Sequence, residues 1–328
     1  MAEHLLPESL RERRPIRILV IGAGGSGSQI FLGLPYLNQA LRAWGHRDGL
    51  EITLMDGDTV SETNCIRQPF SVSDVGLNKA SVLVNRVNLF WGLEWKSEPH
   101  HFARMGNEFN NYACDFIIGC VDSRAARRQI HKAVTDPYSR VGYWLDLGNN
   151  AASGQYLLGQ PSNARNRRNA KRLRTISELY PQIIDAASGE DPLPSCSAIE
   201  ALERQEPFIN QVLAASSLAM LARLLHYGRL THHGAFFNAA TGQMSVVPVD
   251  PTLWRKTRRR SLASLPKAAL TVEFNASQRT RFIVMGDGAH NADRTRSCLS
   301  PRSEGVHRPR IPQWTYRRPA RGPDLPDV

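Results

Sequence analysis

The sequence predicts an α/β fold in which a Rossmann-like, mostly parallel sheet carries helices on both faces. Short apolar runs alternate with stretches of helical spacing between residues 16 and 159, as in successive βαβ units. The first run ends in a cluster of glycines, which is typical of a phosphate-binding turn. The chain has 328 residues, 41% of them apolar, and is long enough to bury a core around such a sheet.

The first half of the predicted sheet contains two strand–helix pairs. Each strand is a short apolar run, and each helix shows apolar residues at helical spacing. The expected elements are a strand at 16–22, a helix at 28–43 kinked at Pro35, a strand at 51–56 that ends on an acid, and a helix at 74–90 with Asp74 as its N-cap.

The second half continues this alternation and closes with an antiparallel hairpin. The expected elements are strands at 95–101, 115–121, 141–147 and 154–159, a helix from Asp122 to about 135, a long apolar helix at 198–226, a C-terminal hairpin around Ala240-Thr241-Gly242, and a short strand at 281–285.

Composition divides the chain into an N-terminal arm (1–15), a folded body (16–250) and a basic, Pro/Arg-rich tail (251–328) predicted to be largely disordered. The tail carries 16 Lys/Arg against 6 Asp/Glu, which accounts for most of the net charge of +11. Within the body, residues 161–197 are basic and poor in apolar side chains, so we expect a mobile crossover loop there.

Several classes of protein are disfavoured by what the sequence lacks. No apolar run reaches the roughly 18 residues of a membrane span, and the first residues lack the apolar core of a secretory signal, so we expect no membrane partner and a cytoplasmic protein. No two of the five cysteines have C-x-x-C spacing, so neither a disulfide framework nor a structural zinc site is expected.

The glycine cluster after the first strand predicts a nucleotide site. Gly22, Gly24 and Gly27 would bring backbone N–H groups and a helix N-terminus to one point, where a phosphate binds. Asp56, at the end of the second strand, would accept the ribose hydroxyls. The glycines by themselves are also compatible with a dinucleotide-binding dehydrogenase or with a tight turn that has no ligand.

A dense polar cluster follows the second strand, between Asp56 and Lys79. It contains acids, amides and cations, namely Asp58, Asn64, Arg67, Gln68 and Lys79. The planar fork of an arginine and the point charge of a lysine are both suited to a triphosphate. The alternative is a solvated charged loop.

Four motifs occur in order over residues 16–135. They are G-x-G-G-x-G-S at Gly22, D-x-D-x-V-x-x-x-N-x-x-R-Q at Asp56, D-x-G-x-x-K at Asp74, and I-I-G-C-V-D-S before Arg127. This set resembles the ThiF/MoeB/HesA family, which is related to ubiquitin-activating enzymes. The segment P-S-C-S at 194–197, with the residues up to Asn210, is similar to the ThiF-related proteins of PRTRC plasmid cassettes.

The resemblance implies that residues 16–250 form an ATP-binding adenylation domain that uses ATP and Mg²⁺. Carried over residue by residue, it implies that Gly22, Gly24, Gly25 and Gly27 line the phosphate loop, Asp56 binds the ribose, Asn64, Arg67 and Lys79 contact the phosphates, and Asp122 holds Mg²⁺. Asp58 and Gln68 are also expected among the nucleotide-binding residues. Arg67, Lys79 and Asp122 would then be the catalytic residues.

The implied activity is that of an adenylyltransferase, a homodimer that activates the C-terminal carboxylate of a small ubiquitin-like or sulfur-carrier-like protein ending in glycine. Two alternatives stay open. One is a non-catalytic ATP-binding module of a plasmid-maintenance complex, suggested by the absence of the C-x-x-C pairs that many relatives have. The other, more distant, is an NAD-dependent oxidoreductase.

Three further features extend this interpretation. Cys196, beside the crossover loop, is a candidate for thioester formation, although a structural cysteine is the alternative. Arg11, Arg13 and Arg14 are candidates for the arginine that relatives donate in trans from an N-terminal arm, and a basic arm with no catalytic role is the alternative. The basic tail at 251–328 would contact nucleic acid through phosphates without base specificity, or would be a solvated extension.

Overall fold

An eight-stranded mixed sheet organises the structure, a computed structural model that describes residues 2–10, 14–103, 114–150, 152–169, 171–185, 208–263, 272–273 and 283–284. Its strands are β2 (Ile16–Ile21), β3 (Leu50–Met55), β4 (Lys96–Glu98), β5 (Phe116–Gly119), β6 (Tyr143–Asn149), β7 (Ser153–Gly159), β9 (His232–Asn238) and β10 (Gln243–Pro248). Two short strands, β1 (His4–Leu5) and β8 (Arg229–Leu230), pair with each other outside it.

The strand order is β10-β9-β7-β6-β5-β2-β3-β4. The five strands from β6 to β4 in that order are parallel, whereas β7, β9 and β10 pair antiparallel. The antiparallel half contains the expected hairpin, β9 and β10, whose connection includes Gly242 with a φ of +68°. This topology confirms the predicted α/β class.

Within the described ranges, six helices surround the sheet: α1 (Gly25–Ala43), α2 (Lys79–Trp91), α3 (Arg124–Thr135), α4 (Ile176–Leu179), α5 (Ile209–Tyr227) and α6 (Pro251–Ala263). The crossovers from β2 to β3 and from β5 to β6 run in opposite directions across the sheet. Because such connections are right-handed, α1 and α3 lie on opposite faces. Helix α5 packs beside α1, and α6 packs against α4.

Short 3₁₀ helices and one small hairpin complete the described structure. The 3₁₀ helices are Glu8–Leu10, Glu62–Ile66, Val72–Asp74 and Pro181–Ile184, and the hairpin consists of β11 (Val272–Glu273) and β12 (Ile283–Val284). The strand expected at 281–285 corresponds to β12. None of the helices in the described ranges is long and apolar enough to cross a membrane.

The start of α2 differs from the prediction. The helix begins at Lys79, and Asn78 is its N-cap because the side-chain oxygen of Asn78 accepts a hydrogen bond from the Ser81 amide at 3.0 Å. Asp74 instead accepts from the Ser71 amide at 2.7 Å and belongs to the preceding 3₁₀ helix. In the sequence, apolar residues at helical spacing continue from the 3₁₀ helix at Val72–Asp74 into α2, so the spacing did not mark where α2 begins.

The crossover segment, predicted as a mobile loop at 161–197, is packed where the structure describes it, at residues 161–169 and 171–185. The side-chain amides of Asn163 and Asn166 are buried and donate to the Val141 carbonyl at 2.9 and 3.1 Å. Arg172 donates two bonds to the Glu178 carboxylate, at 2.8 and 2.6 Å. Hydrogen bonds and ion pairs therefore order a segment that has few apolar side chains.

Both ends of the predicted body extend further than composition indicated. In the N-terminal arm, Leu6 and Leu10 are buried in the core, and the Leu6 amide donates to the Gly228 carbonyl at 2.8 Å. In the segment assigned to the tail, residues 251–263 form α6, and Trp254 is 5% exposed and packs edge-on against His233. Leu6 and Leu10 anchor the first of these basic segments and Trp254 the second, which a composition average does not detect.

Candidate nucleotide-binding site

The candidate site lies at the point where the order of the parallel strands reverses. From β2 the chain crosses to β3 on one side and later to β5 on the other. The carboxyl ends of these three strands, at Ile21, Met55 and Gly119, meet at one edge of the sheet. Crevices at such reversal points are the usual ligand sites of open α/β sheets.

The glycine turn joins β2 to α1 through a backbone that only glycine fits well. Gly22 has a φ of +97°, and a side chain there would lie 2.7 Å from the Cys120 carbonyl oxygen. A side chain at Gly27 would overlap the Gly22 carbonyl oxygen. Helix α1 begins at Gly25, with Gly24 as its N-cap, so the amides of its first turn face the crevice without a capping side chain.

Asp56 links the glycine turn to the loop after β3. One carboxylate oxygen accepts from the Ala23 amide at 2.5 Å, and the other accepts from the Asp58 amide at 2.8 Å. Burial raises the pKa of Asp56, and its two backbone hydrogen bonds partly oppose that rise. Each oxygen keeps a second lone pair, so Asp56 can still accept a ribose hydroxyl while it holds the turn in place.

Lys79 and Asp58 form an ion pair next to this carboxylate. The Lys79 ammonium lies 3.1 Å from Asp58, and the lysine side chain is 9% exposed, against 55% for Asp58. The Asn78 side chain donates to the backbone carbonyls of Asp56 and Asp58 at 2.8 and 3.1 Å. The bonds of Asn78 thereby fix the start of α2 beside the glycine turn. The buried Lys79 ammonium is directed at Asp58 in the exposed loop after β3.

Asn64, Arg67 and Gln68 lie on a separate local unit, the 3₁₀ helix Glu62–Ile66 and the turn that follows. The Asn64 side chain accepts from the Ser61 amide at 3.0 Å, and the Asn64 carbonyl accepts from the Gln68 amide at 2.9 Å. Arg67 is the C-cap of that helix. The hydrogen bonds of Asn64 serve its own segment, so its role in phosphate binding stays a prediction.

Asp122 follows β5 and is exposed at the mouth of a cavity of about 210 Å³. The cavity extends from Asp122 and Arg124 toward the aromatic rings of Tyr180 and Phe236. A carboxylate at the end of a central strand, at the opening of such a cavity, can meet both a nucleotide in the crevice and a second substrate that enters from the cavity.

Arg127 and Asp146 form a buried ion pair under the cavity that the sequence analysis did not identify as part of the site. The Arg127 Nε atom lies 3.3 Å from the Asp146 carboxylate, and Arg127 also donates to the Leu147 carbonyl at 3.2 Å. Burial raises the pKa of Asp146 to about 6, against the opposing effect of Arg127. An acid inside the apolar strand YWLDLGN was the available signal.

Ser26 and Asn210 form a second contact at the site that the sequence analysis did not identify. The Ser26 hydroxyl donates to the Asn210 side chain at 2.8 Å, and Asn149 lies 3.4 Å from the same hydroxyl. A side chain at Gly25 would lie 2.6 Å from Asn210. No local pattern predicts this contact, because α5 reaches the glycine turn only through its packing against α1.

Three of the five cysteines lie in the described part of the chain, and all three are free thiols. Burial raises the pKa of Cys114 to about 12 and also raises that of Cys120, so neither supplies a thiolate near neutral pH. Cys196 and Cys298 lie outside the described residues.

Among the described residues, no group of three or more His, Cys, Asp or Glu side chains could hold a metal ion by itself. Mg²⁺ commonly uses one or two carboxylates together with substrate phosphates and water. The exposed Asp122 beside the crevice fits that kind of shared site, in which the phosphates of a bound nucleotide would supply further ligands.

The sequence model of the ThiF family matches residues 4–155 of the chain. No curated protein matches it. Solved structures similar to it include PaaA, with a TM-score of 0.47, 13% identity, and 71% of this chain and 64% of that chain covered. Two structures of E. coli MccB, with MccA-N7isoASN and with succinimide, have TM-scores of 0.48 and 0.49, 15% identity and coverage of 73% and 66%. The chain thus spans less than two thirds of these proteins.

Proposed function

We propose that this chain, which is a ThiF family protein over residues 4–155, is an ATP-dependent adenylyltransferase that activates the C-terminal carboxylate of a small ubiquitin-like or sulfur-carrier-like protein. The observation that carries the proposal is the meeting of the glycine turn, Asp56, the Lys79–Asp58 pair and Asp122 at the carboxyl ends of β2, β3 and β5. A PRTRC plasmid cassette is the context that we propose from the sequence resemblance.

Each part of this edge has a role in the proposed reaction. The amides at the start of α1 bind phosphate oxygens, and Asp56 orients the ribose. When ATP binds, the Lys79 ammonium moves from the Asp58 carboxylate to the phosphates. The buried aliphatic part of the Lys79 side chain keeps this movement short. Arg67 adds a second cation from the 3₁₀ segment. These charges stabilise the negative charge that grows on the phosphoryl oxygens.

The chemistry needs no protein nucleophile. The acceptor carboxylate oxygen attacks the α-phosphorus, a new P–O bond forms, the α–β phosphoanhydride bond breaks, and pyrophosphate leaves. Mg²⁺ held by Asp122 and the phosphates would neutralise charge on the leaving group. Asp122 would hold the Mg²⁺ ion at the mouth of the cavity through which the acceptor carboxylate arrives. Cys196 is the residue we propose for any later thioester step, since it lies beside the crossover loop in the sequence.

The test is ATP–pyrophosphate exchange with purified candidate acceptors that end in glycine. We expect exchange with the cognate acceptor and a loss of at least about a hundredfold in Asp122→Ala, because the carboxylate acts on charge that develops in the transition state. Asp136→Ala, at the other end of α3, is the matched control and should keep full exchange.

Exchange that survives in Asp122→Ala would contradict the proposed role of Asp122.

One observation favours the non-catalytic alternative. Arg14, a candidate for donation in trans, is held by Asp115 of its own chain through bonds of 2.7 and 2.9 Å. That alternative predicts calorimetric ATP binding without exchange for any acceptor, and tight NAD(H) binding would instead favour the oxidoreductase.

A further inference from the structure

Three adjoining cavities lie between Asp122 and a group of arginines at the start of α4 and on α6. We propose that they form the path on which the C-terminal tail of the acceptor binds, with an acidic residue of that tail held by Arg174, Arg255 and Arg258. The inference rests on the proposed adenylation, which places the carboxylate end of the tail at Asp122. It adds a requirement on the acceptor sequence, which is a negative charge upstream of its C-terminus.

The cavities adjoin because they share walls. Tyr180 and Phe236 line both the first cavity, at Asp122, and the second, of about 250 Å³. Leu179 and Trp254 line both the second cavity and the third, of about 230 Å³. The three cavities are therefore neighbours in this order, and residues of α6 line the third.

The middle of the path is suited to an apolar side chain. The Tyr180 and Phe236 rings pack edge to face with centroids 5.4 Å apart. Apart from Ser245 and Thr257, the remaining lining residues are apolar, namely Leu179, Val246, Val247, Pro248, Leu253 and Trp254. Val246 is 56% exposed although it lines this cavity, so an apolar occupant would remove its surface from water.

The far end of the path is positive. Glu178 is the one described acid in its lining, and its carboxylate already accepts two bonds from Arg172 and one from Arg174 at 3.2 Å. Arg255 bonds only to neutral oxygens of Pro251 and Thr252. Within the described ranges neither Arg255 nor Arg258 takes part in an ion pair. The arginine cluster formed by Arg174, Arg255 and Arg258 thus carries uncompensated charge.

A peptide fits this arrangement better than a nucleic acid does. The apolar middle cavity offers little to a phosphodiester backbone, whereas alternating apolar and acidic side chains of an extended peptide would match both cavities. Arg174, Arg255 and Arg258 also lie beyond residues 4–155, the part that matches the family, so this selection would belong to the present chain.

The test compares three fluorescein-labelled peptides that share an apolar centre and a Gly-Gly end and differ upstream in a run of glutamate, serine or lysine. Anisotropy with the full chain, without ATP, gives each dissociation constant. We expect the glutamate peptide to bind about tenfold more tightly than the serine peptide at low salt, and the lysine peptide to bind most weakly. The preference should weaken as salt screens the charges.

A matched pair of variants separates the cluster from general charge. Arg255→Gln/Arg258→Gln should abolish the preference for glutamate. Lys256→Gln/Arg260→Gln removes the same charge from exposed positions of the same helix that do not line the cavity, and should keep the preference. All four side chains are exposed, so both variants should fold.

Several results would overturn the inference: no peptide binding, equal binding of the glutamate and serine peptides, equal losses in the two double variants, or tighter binding of labelled single-stranded DNA than of the glutamate peptide at the same salt. Because the assay needs no ATP, its result is independent of pyrophosphate exchange. A glutamate preference without exchange would contradict only the proposed adenylation.

Discussion

At Gly27 the close approach of two backbone segments sets the shape of the glycine turn. A methyl group there would overlap the Gly22 carbonyl oxygen. We expect Gly27→Ala to lower the free energy of unfolding by about 1–3 kcal/mol, as overpacking does, and to weaken ATP binding by at least about tenfold. Chemical denaturation and calorimetry measure the two effects.

The stability control for this residue is Gly24→Ala. Gly24 has no atom within 4 Å of the position that its side chain would take. Alanine at this N-cap position should cost at most about 1 kcal/mol, less than the overlap at Gly27, whatever it does to the nucleotide. Equal stability losses in the two variants would show that the overlap at Gly22 is not the cause.

At the scale of elements, α6 depends on one buried side chain. Trp254 is 5% exposed and contacts the His233 ring, whereas the neighbouring basic residues of the helix face solvent. We expect Trp254→Ala to cost about 2–4 kcal/mol of stability, somewhat less than a tryptophan at the centre of a core. Urea unfolding measures it, and Thr252→Ala, at an exposed position of the same helix, should change little.

The same substitution tests the path of cavities, because Trp254 lines both the second cavity and the third. If α6 is anchored through this ring, the variant should also lose the preference for the glutamate peptide. A variant that is destabilised but keeps that preference would separate the packing of α6 from the proposed acceptor path.

At the scale of the whole molecule, buried histidines tie the N-terminal arm and α6 to the sheet. His4 is bonded to the Tyr143 hydroxyl at 2.7 Å, and His233 to the Leu158 carbonyl at 2.7 Å. Burial lowers the pKa of each from 6.5 to about 4. The folded protein therefore resists protonation that the unfolded chain accepts below pH 6.5.

It follows that stability falls as the pH drops from about 6.5 to about 4, by several kcal/mol at most. Burial also lowers the pKa of His131 and His232, which adds to this loss, while the raised pKa of Asp146 opposes part of it. Denaturant unfolding at successive pH values measures the slope. His4→Leu/His233→Leu should flatten it, and a parent protein equally stable at both pH values would contradict the assignment.

The sequence by itself determined the parallel half of the sheet, the glycine turn and the acids and cations beside it. These follow from local patterns, since an apolar run that ends in glycines permits few other structures. The domain boundaries predicted from average composition differ from the structure where a single buried side chain anchors a basic segment, as Trp254 does.

Only the tertiary structure decided which distant residues meet. It brought Asn210 to Ser26 through the packing of α5 on α1, buried Asp146 under Arg127, and placed Arg174 beside Arg255 and Arg258. Such contacts join residues that are far apart in the chain, and the free energy that selects them comes from packing whole elements together, so no local pattern records them.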